Sequence, residues 1–355
     1  MKKNLTALIT AAAVCLSLTA CGSGTSTSTT TSAAAQSGAA STEASAETTV
    51  AAESTSGAAD ASSETYTVGI CQLVQHQALD AATQGFKDAL TEALGDKVEF
   101  VEQNASNDIP TCATICNGFV ADGVDLILAN ATPALQAAVA ATQTIPILGT
   151  SVTEYGVALD IDGFSGTVGG NVSGTSDLAP LDQQAAMFTE LLPDAKAIGI
   201  LYCSAEANSV YQADVVKAAL EESGLTVNVY TFADSNDVST VTATACDECD
   251  ALYIPTDNTA ASCAEAINNV ALPAKTPIIA GEEGIASGCG IATLSIDYYE
   301  LGVTTGKMAA KILTGESNIS EMPIEYFQNP VKKYNASICE QLGITVPADY
   351  TAIEQ

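Results

Sequence analysis

Three short polar segments carry side chains that could bind a small charged molecule. Each segment follows an apolar run, precedes a helical pattern and contains residue types that cap helices. In α/β proteins, ligands bind at the loops that lead from strands into helix N-termini. The candidate binding side chains in these segments are Thr132, Glu206, Asn208, Ser209, Asp257 and Asn258.

This mixture of side chains suits a zwitterion. Thr132 is a candidate N-cap with Pro133 at the first helical position, an arrangement that leaves backbone amides available to a ligand carboxylate. Asp257 or Glu206 would then pair with a ligand ammonium group in a closed, poorly solvated cleft. The alternative for each segment is ordinary helix capping. Three such segments, drawn from both halves of the chain, favour a common binding site.

His76 is the only histidine in the chain. A catalytic base would need a nucleophile and an orienting acid, and neither G-x-S-x-G nor H-E-x-x-H occurs in the sequence. Two interpretations of His76 stay open, the wall of a pocket and a buried, hydrogen-bonded loop residue. The glycines within 163–174 are not followed by G-K-[ST], so they predict a flexible crossover rather than a phosphate-binding loop. We therefore expect no enzymatic activity.

The chain contains 11 cysteines, of which Cys15 and Cys21 belong to the N-terminal segment discussed below, so nine remain for the folded part. A zinc site needs about four ligands at close spacing, and His76 is distant in sequence from the C-x-x-C of Cys246 and Cys249. We expect most of the nine to be small buried apolar residues, with no metal and no cofactor. A disulfide among them, including one within Cys246 and Cys249, stays possible.

The body of the chain alternates apolar runs with helical patterns, which predicts an α/β fold of two doubly wound parallel-sheet lobes joined by a three-strand hinge. We predict lobe I at 66–177 plus 283–321 and lobe II at 178–282 plus 322–355. The hinge strands are expected near 175–180, 281–284 and 321–323. Predicted strands lie at 66–72, 98–102, 126–129, 146–149, 197–202, 226–231, 251–254 and 278–280. Predicted helices lie at 78–94, 109–121, 133–142, 181–192, 209–223, 238–246 and 259–270.

The N-terminus has the pattern of an exported lipoprotein. Met1-Lys2-Lys3 precedes an apolar run over 5–20, and Cys21 follows small residues. We predict a signal peptide at 1–20, lipid attachment at Cys21 and a disordered Ser/Thr/Ala tether over 21–65. The apolar run is shorter than the roughly 20 residues of a membrane-spanning helix, although an uncleaved short anchor is the alternative. The expected location is the extracellular face of the cytoplasmic membrane, with the lipid as the only membrane contact.

The net charge excludes some partners. It is −31, with only 11 Lys and Arg residues, so a surface that binds nucleic acid or anionic lipid headgroups is not expected. We interpret the acidic surface as a source of solubility.

Six segments resemble one protein family, in the same order along the chain. The chain is similar to the substrate-binding lipoproteins of ABC importers of the tryptophan and tyrosine type, which have a type I periplasmic-binding-protein fold. The resemblance implies a monomer that captures an aromatic or apolar amino acid between its lobes and delivers it to an ABC permease and its ATPase. The segments are GICQLVQHQALD (69–80), DLILANATPALQ (125–136), GGNVSGTSDLAP (169–180), AIGILYCSAEANS (197–209), DALYIPTDN (250–258) and YYELGVTTGKMAAKILTGE (298–316).

The same resemblance implies a set of ligand-binding positions. The matching residues are Gln72, His76, Thr132, Asp177, Asn208, Ser209, Asp257 and Asn258. The chain departs from the family pattern at Gln77, where a proline often follows the histidine, and at Glu154-Tyr155, where an Asp-Pro is frequent. Both departures fall in lobe I and concern the end of the pocket that receives the ligand side chain.

Other functions of the same fold stay open. A ligand sensor coupled to a membrane kinase or chemoreceptor would have the same sequence pattern. A secreted enzyme or adhesin is disfavoured because no catalytic constellation is present. A sugar or other small molecule is a further alternative, although sugar sites commonly use aromatic stacking and this chain has no Trp.

Overall fold

The computed structural model describes residues 65–354, and strands alternate with helices along most of that length. The strands are β1 (Tyr66–Gln72), β2 (Val98–Asn104), β3 (Leu126–Asn130), β4 (Ile147–Val152), β5 (Val172–Ser176), β6 (Ala197–Cys203), β7 (Thr226–Phe232), β8 (Ala251–Ile254), β9 (Ile278–Ala280), β10 (Ala292–Ser295), β11 (Glu325–Tyr326), β12 (Val331–Tyr334) and β13 (Thr351–Ala352).

Most helices begin at a capping side chain or at a proline, as their sequences require. The helices are α1 (Gln77–Leu94), α2 (Ile109–Asp122), α3 (Thr132–Ala141), α4 (Tyr155–Ala158), α5 (Leu181–Leu191), α6 (Ala207–Glu222), α7 (Val238–Glu248), α8 (Asn258–Ser262), α9 (Ala264–Ala274), α10 (Glu283–Gly288), α11 (Tyr298–Leu313) and α12 (Ala336–Leu342). Two 3-10 helices lie at Gly95–Lys97 and Ile319–Glu321.

The first sheet has the strand order β11-β5-β4-β3-β1-β2, and all of its pairs are parallel. Successive residues of β3 point to opposite faces. Leu126 and Leu128 pack with Phe86 of α1 and Met308 of α11, whereas Ile127 packs with the α2 and α3 side. Helices therefore cover both faces, which explains why the strands are continuously apolar.

The second sheet has the order β13-β12-β10-β9-β8-β6-β7, with one antiparallel pair, β10 and β12. It is covered on both faces in the same way. Tyr253 of β8 packs with Phe188 of α5, and Leu252 packs on the opposite face with Ile267 of α9. The predicted α/β fold with two parallel-sheet lobes is therefore confirmed. Lobe I and lobe II are used below for the parts that contain the first and second sheet.

Strand pairing moves two of the predicted lobe boundaries. The predicted return to lobe I at 283 is wrong, because Ala292 of β10 pairs with Ile279 of β9 in the second sheet. The predicted return to lobe II at 322 is too early, because Glu325 of β11 pairs with Thr175 of β5 in the first sheet. The crossings follow β5, β10 and β11, so only the first lies where the sequence predicts it.

The predicted signal peptide, the lipidation site Cys21 and the tether up to residue 64 lie outside the described residues. Within 65–354, no helix is both long enough and apolar enough to cross a membrane.

Helices α1 and α11 touch through glycines on one face of lobe I. A Cβ added to Gly302 would lie 2.0 Å from the carbonyl oxygen of Ala82, and one added to Gly85 would lie 2.1 Å from the carbonyl oxygen of Tyr299. The two backbones are therefore in direct contact, and α11, which begins just after the chain crosses from lobe II, is held against α1.

Replacing Gly302 with alanine should destabilise the protein. The added methyl group has no space, so we expect the free energy of unfolding to fall by about 1–3 kcal/mol, the usual cost of overpacking. The control is Gly118→Ala in α2, where a Cβ meets nothing within 4 Å and alanine is the better helix former. Urea unfolding of both variants measures the difference, and equal stability of the two would contradict the close contact.

Candidate functional site

The carboxyl ends of the strands in the two lobes face each other across a cleft, and the lobes touch there. His76 after β1 is 3.2 Å from Asn258 of α8, measured between Nε2 and Oδ1. Asn107 Nδ2 donates to Thr259 Oγ1 at 3.0 Å, again from lobe I to lobe II. These contacts describe a closed arrangement of the two lobes.

Several buried polar atoms at these strand ends have no hydrogen-bond partner. Buried polar groups are nearly always paired, because an unpaired one forfeits its hydration without replacement. A set of such atoms in one cleft therefore indicates a bound molecule that supplies the missing partners. The atoms are His76 Nδ1, Thr132 Oγ1, Ser151 Oγ, Asp177 Oδ1 and Asn208 Oδ1.

Two residues link the unpartnered atoms of opposite lobes. The Thr153 hydroxyl is hydrogen-bonded to the Asp177 carboxyl on the lobe I side. Gln212 of α6 donates from Nε2 to Thr153 Oγ1 at 3.5 Å and to the Asn208 carbonyl at 3.1 Å. Asp177 and Asn208 therefore lie on either side of the same interlobe contact.

The backbone is strained at two of the strand ends. Ala131 has φ 96° and ψ 157°, a region that is almost restricted to glycine, and Ser151 has φ 54°. Ser151 lies where the pairing of β4 with β5 shifts register. Such strain costs on the order of 1–3 kcal/mol and is concentrated at functional sites in proteins.

The N-terminus of α3 is free of side-chain caps. Its N-cap is Ala131, whereas the sequence predicted Thr132 in that position, and the Thr132 hydroxyl is buried without a partner. The partial positive charge of this helix end and the Thr132 and Ser151 hydroxyls together suit an anionic group. Ser209 also differs from its predicted role as a cap, because α6 begins at Ala207 with Glu206 as N-cap.

Glu206 and Asp257 are fully occupied by lobe II itself. Glu206 Oε1 accepts from the backbone amide and hydroxyl of Thr259, and Oε2 accepts from the backbone and side-chain nitrogens of Asn258. Asp257 accepts from the amides of Ala260 and Cys203, at 2.7 Å each. The expectation that either carboxylate pairs with a ligand ammonium group is therefore corrected: both are buried braces of the loop before α8.

Gln72 and Ser209 also bond within their own lobes. Gln72 donates from Nε2 to Asp80 and to the Val74 carbonyl, and its Oε1 accepts from the Thr83 hydroxyl. Ser209 is hydrogen-bonded to Asp257. Both side chains thus shape the loops that carry the site, and their polar atoms are engaged there.

Asp177 is the acid that keeps a free oxygen. It follows β5 and is 3% exposed, its Oδ2 accepts from the Tyr298 hydroxyl at 3.0 Å, and its Oδ1 is unpartnered. Burial raises the pKa of Asp177 to about 6, although the hydrogen bonds from Thr153 and Tyr298 oppose the shift. A cation next to Oδ1 would lower that pKa again, so the site is suited to an ammonium group.

A cleft of about 540 Å³, open to solvent, lies between the lobes, and its lining includes Glu206 and Thr259 of lobe II but none of the five residues with unpartnered atoms. Pro133, which adjoins Thr132, belongs to its lining. The apolar part of the lining is Leu73, Ile109, Pro110 and Pro133 from lobe I and Ala205 and Ala233 from lobe II. This is the space available to an apolar side chain of a ligand.

The structure thus places His76, Thr132, Asp177, Asn208 and Asn258 at the strand ends where the two lobes meet. The sequence prediction missed Ser151, Thr153, Gln212 and Tyr298. Ser151 and Thr153 follow the strand predicted at 146–149, so the strand-end criterion that selected Thr132 could have found them. Gln212 lies within α6 and carries no comparable signal. Tyr298 begins α11 after β10, a strand that the sequence analysis did not predict.

The cysteines take the predicted structural role in most cases. All nine in the described part of the chain are free thiols, and seven of them are buried. Among residues 65–354, no group of three or more His, Cys, Asp and Glu side chains could hold a metal ion.

Comparison with known proteins identifies relatives along nearly the whole described chain. The family model for ABC transporter substrate binding proteins matches residues 67–352. A curated relative, the tyrosine-binding protein of Clostridioides difficile, is 38% identical over 269 residues, which are 74% of this chain and 76% of the relative.

Two solved structures differ in how well they superpose. The ABC domain from Streptococcus pneumonia in complex with L-Trp is 33% identical, covers 80% of this chain and 97% of its own, and has a TM-score of 0.77. The ligand-free, open structure of a substrate-binding protein with adhesive properties from Clostridium difficile is 36% identical, covers 81% and 99%, and has a TM-score of 0.63. The present structure therefore resembles the ligand-bound relative more than the open one.

The buried carboxyls should make the ligand-free protein less stable as the pH rises. Asp177, Glu282 and Asp257 have pKa values raised by burial to about 6, 7 and 8, so the folded protein keeps protons that the unfolded chain loses above about pH 4. Their stabilising contribution is present below that pH and is lost as the pH rises through the raised values. For Asp177 it is on the order of 2–3 kcal/mol.

Urea unfolding of Asp177→Asn measures this contribution. We expect the variant to lose only the share of Asp177, roughly a third of the decline that the three carboxyls cause between about pH 4 and pH 6, because Glu282 and Asp257 keep their shares. Asp182→Asn, at an exposed position in the first turn of α5, is the matched control and should keep that decline. An unchanged decline in Asp177→Asn would contradict the assignment.

Proposed function

The chain belongs to the family of ABC transporter substrate binding proteins, and we propose that it captures an aromatic L-amino acid between its two lobes for delivery to a membrane permease. Proteins of this family bind and release their ligands without a chemical reaction, so the chain is a binder and no enzyme. The observation that carries the choice of ligand is the free, buried oxygen of Asp177, which lies opposite Asn208 and close to unpartnered hydroxyls.

The donors and acceptors among the unpartnered atoms complement the ammonium and carboxylate groups of an amino acid. Asp177 Oδ1 and Asn208 Oδ1 are acceptors and suit an α-ammonium group, whereas the Thr132 and Ser151 hydroxyls can donate to an α-carboxylate. The uncapped N-terminus of α3 adds backbone amides on the carboxylate side. The proposed contacts of the ligand backbone thus come from the start of α3, from β4 and from the residue after β5 in lobe I, and from α6 in lobe II.

The proposed ligand side chain is aromatic for two reasons. The cleft beside the site has an apolar lining that includes Leu73, Pro133 and Ala205. Two of the three relatives reported above are a tyrosine-binding protein and a protein in complex with L-Trp. An aromatic ring placed in this cleft would bury a large apolar surface.

Capture would work by closure of the two lobes. Contacts such as Gln212 to Thr153 and His76 to Asn258 exist only when the lobes meet. A ligand that bonds to Asp177 in lobe I and to Asn208 in lobe II adds to these contacts in the closed state alone, and so shifts the population toward it. We propose that the permease recognises this closed form.

Replacing Asp177 should abolish most of the binding. In Asp177→Asn the ammonium group would face a neutral amide in a buried site, and we expect affinity for L-tyrosine or L-tryptophan to fall about 30-fold or more. Asp182→Asn is the control and should bind as the unmodified protein does. Isothermal titration calorimetry near pH 7.5 measures both, and an unchanged affinity of Asp177→Asn would remove Asp177 from the site.

Wild-type affinity should also depend on pH. Because the pKa of the free Asp177 carboxyl is raised to about 6, binding of an ammonium group should strengthen as the pH rises through that value. Titrations from about pH 5 to pH 8 measure the change. A flat profile for L-phenylalanine, which has no ionisable side chain, would contradict an ammonium group at Asp177.

We further propose that the protein is exported and held at the membrane by lipid on Cys21. The support is the charged and apolar leader followed by a cysteine. In cell fractionation, Cys21→Ser should move the protein from the membrane fraction to the medium or periplasm, whereas Cys15→Ser, within the leader, should leave it anchored. Retention of Cys21→Ser at the membrane would contradict lipid attachment at that residue.

A further inference from the structure

The hydrogen-bonding state of His76 is determined by its neighbours. Asn258 donates from Nδ2 to Glu206 Oε2 at 2.6 Å, so its Oδ1 is the atom that faces the imidazole. The 3.2 Å contact between His76 Nε2 and Asn258 Oδ1 therefore needs a proton on Nε2. In the neutral imidazole the other nitrogen, Nδ1, is then an acceptor.

This acceptor has no partner within the described protein. His76 Nδ1 is buried and receives no hydrogen bond. A ligand that brings a donor to Nδ1 satisfies it, whereas a ligand without a donor leaves it buried and unpaired. The difference in affinity between two such ligands is expected to be large, because the ligand without a donor leaves a buried acceptor of the protein without a hydrogen bond.

The position of His76 assigns it to the far end of the ligand. The first sheet runs β5, β4, β3, β1, so three strand spacings, about 14 Å, separate the ends of β5 and β1, and Asp177 and His76 follow these two strands. We therefore place the ammonium group of the ligand at Asp177 and its side chain at His76.

We propose that His76 Nδ1 accepts a hydrogen bond from a donor on the ligand's ring, so that the site selects a phenol or an indole over a plain phenyl group. This inference rests on the proposed function, because it takes the ligand to be an aromatic amino acid, and it adds the residue and the atom that distinguish one such amino acid from another.

The charged groups around His76 leave this acceptor available at neutral pH. Glu206, from lobe II, and Asp80, on α1, favour the protonated imidazole, and the contact with Asn258 does too. Burial outweighs them and lowers the pKa of His76 below its usual value. Protonation at lower pH would place a second proton on Nδ1 and turn the acceptor into a donor.

The proposal is tested by measuring the affinities of two proteins, the wild type and His76→Phe, for two ligands. L-tyrosine and L-phenylalanine differ by one hydroxyl, and calorimetry gives the ratio of their affinities for the wild type and for His76→Phe. Any loss of folding or of lobe closure in the variant weakens both ligands alike, so only the ratio reports on Nδ1. We expect a preference for L-tyrosine of about tenfold or more in the wild type and its loss in the variant.

A preference for L-tyrosine that persists in His76→Phe would overturn the role of His76.

The results also separate this inference from the proposed function. Equal wild-type affinities for L-tyrosine and L-phenylalanine would overturn the role of His76 and leave aromatic amino acid binding intact. Binding of neither amino acid, with L-tryptophan also inactive, would overturn the proposed function and this inference with it.

Discussion

The structure of this site depends on a single constraint, which is that polar atoms removed from water must find partners. Lobe closure buries acceptors on Asp177 and Asn208 and hydroxyls on Thr132 and Ser151, and the protein satisfies none of these atoms itself. The fold makes the arrangement possible, because parallel strands of two separate sheets end at one cleft. Each lobe holds its own atoms rigidly, and only the gap between them is left for another molecule.

The neighbouring acids Glu206 and Asp257 are also removed from water, but the protein itself supplies their hydrogen-bond partners. Glu206 and Asp257 are as deeply buried as Asp177, yet amides and hydroxyls of lobe II occupy their oxygens. They hold the loop that presents Asn258 to His76. Burial, together with repulsion from Glu206, raises the pKa of Asp257 to about 8, so burying this acid has an energetic cost that its hydrogen bonds offset.

The sequence predicts the sheets better than the site. Continuous Val, Ile and Leu runs between helical patterns identify β1, β3 and β6, whereas β10 and β11 are too short to reveal which sheet they join. Position after a strand selects Thr132 and Asn208, each of which has a buried, unpartnered polar atom. It cannot separate a free carboxylate from an occupied one, since that depends on amides distant in sequence, such as Cys203 for Asp257. Ser151 was missed although it follows the strand predicted at 146–149, and it lies where the pairing of β4 with β5 shifts register.

The chain contains no arginine, and its 11 basic residues are all lysines. The unpartnered groups proposed to hold the ligand carboxylate are hydroxyls, assisted by the end of α3, and carry no full positive charge. Hydrogen bonds of this kind hold a carboxylate strongly only while water is excluded from the cleft. Water competes for the carboxylate with hydroxyls and with the end of a helix. Opening of the lobes would therefore admit water and weaken the hold on a carboxylate at once, because no ion pair with a guanidinium group has to be broken.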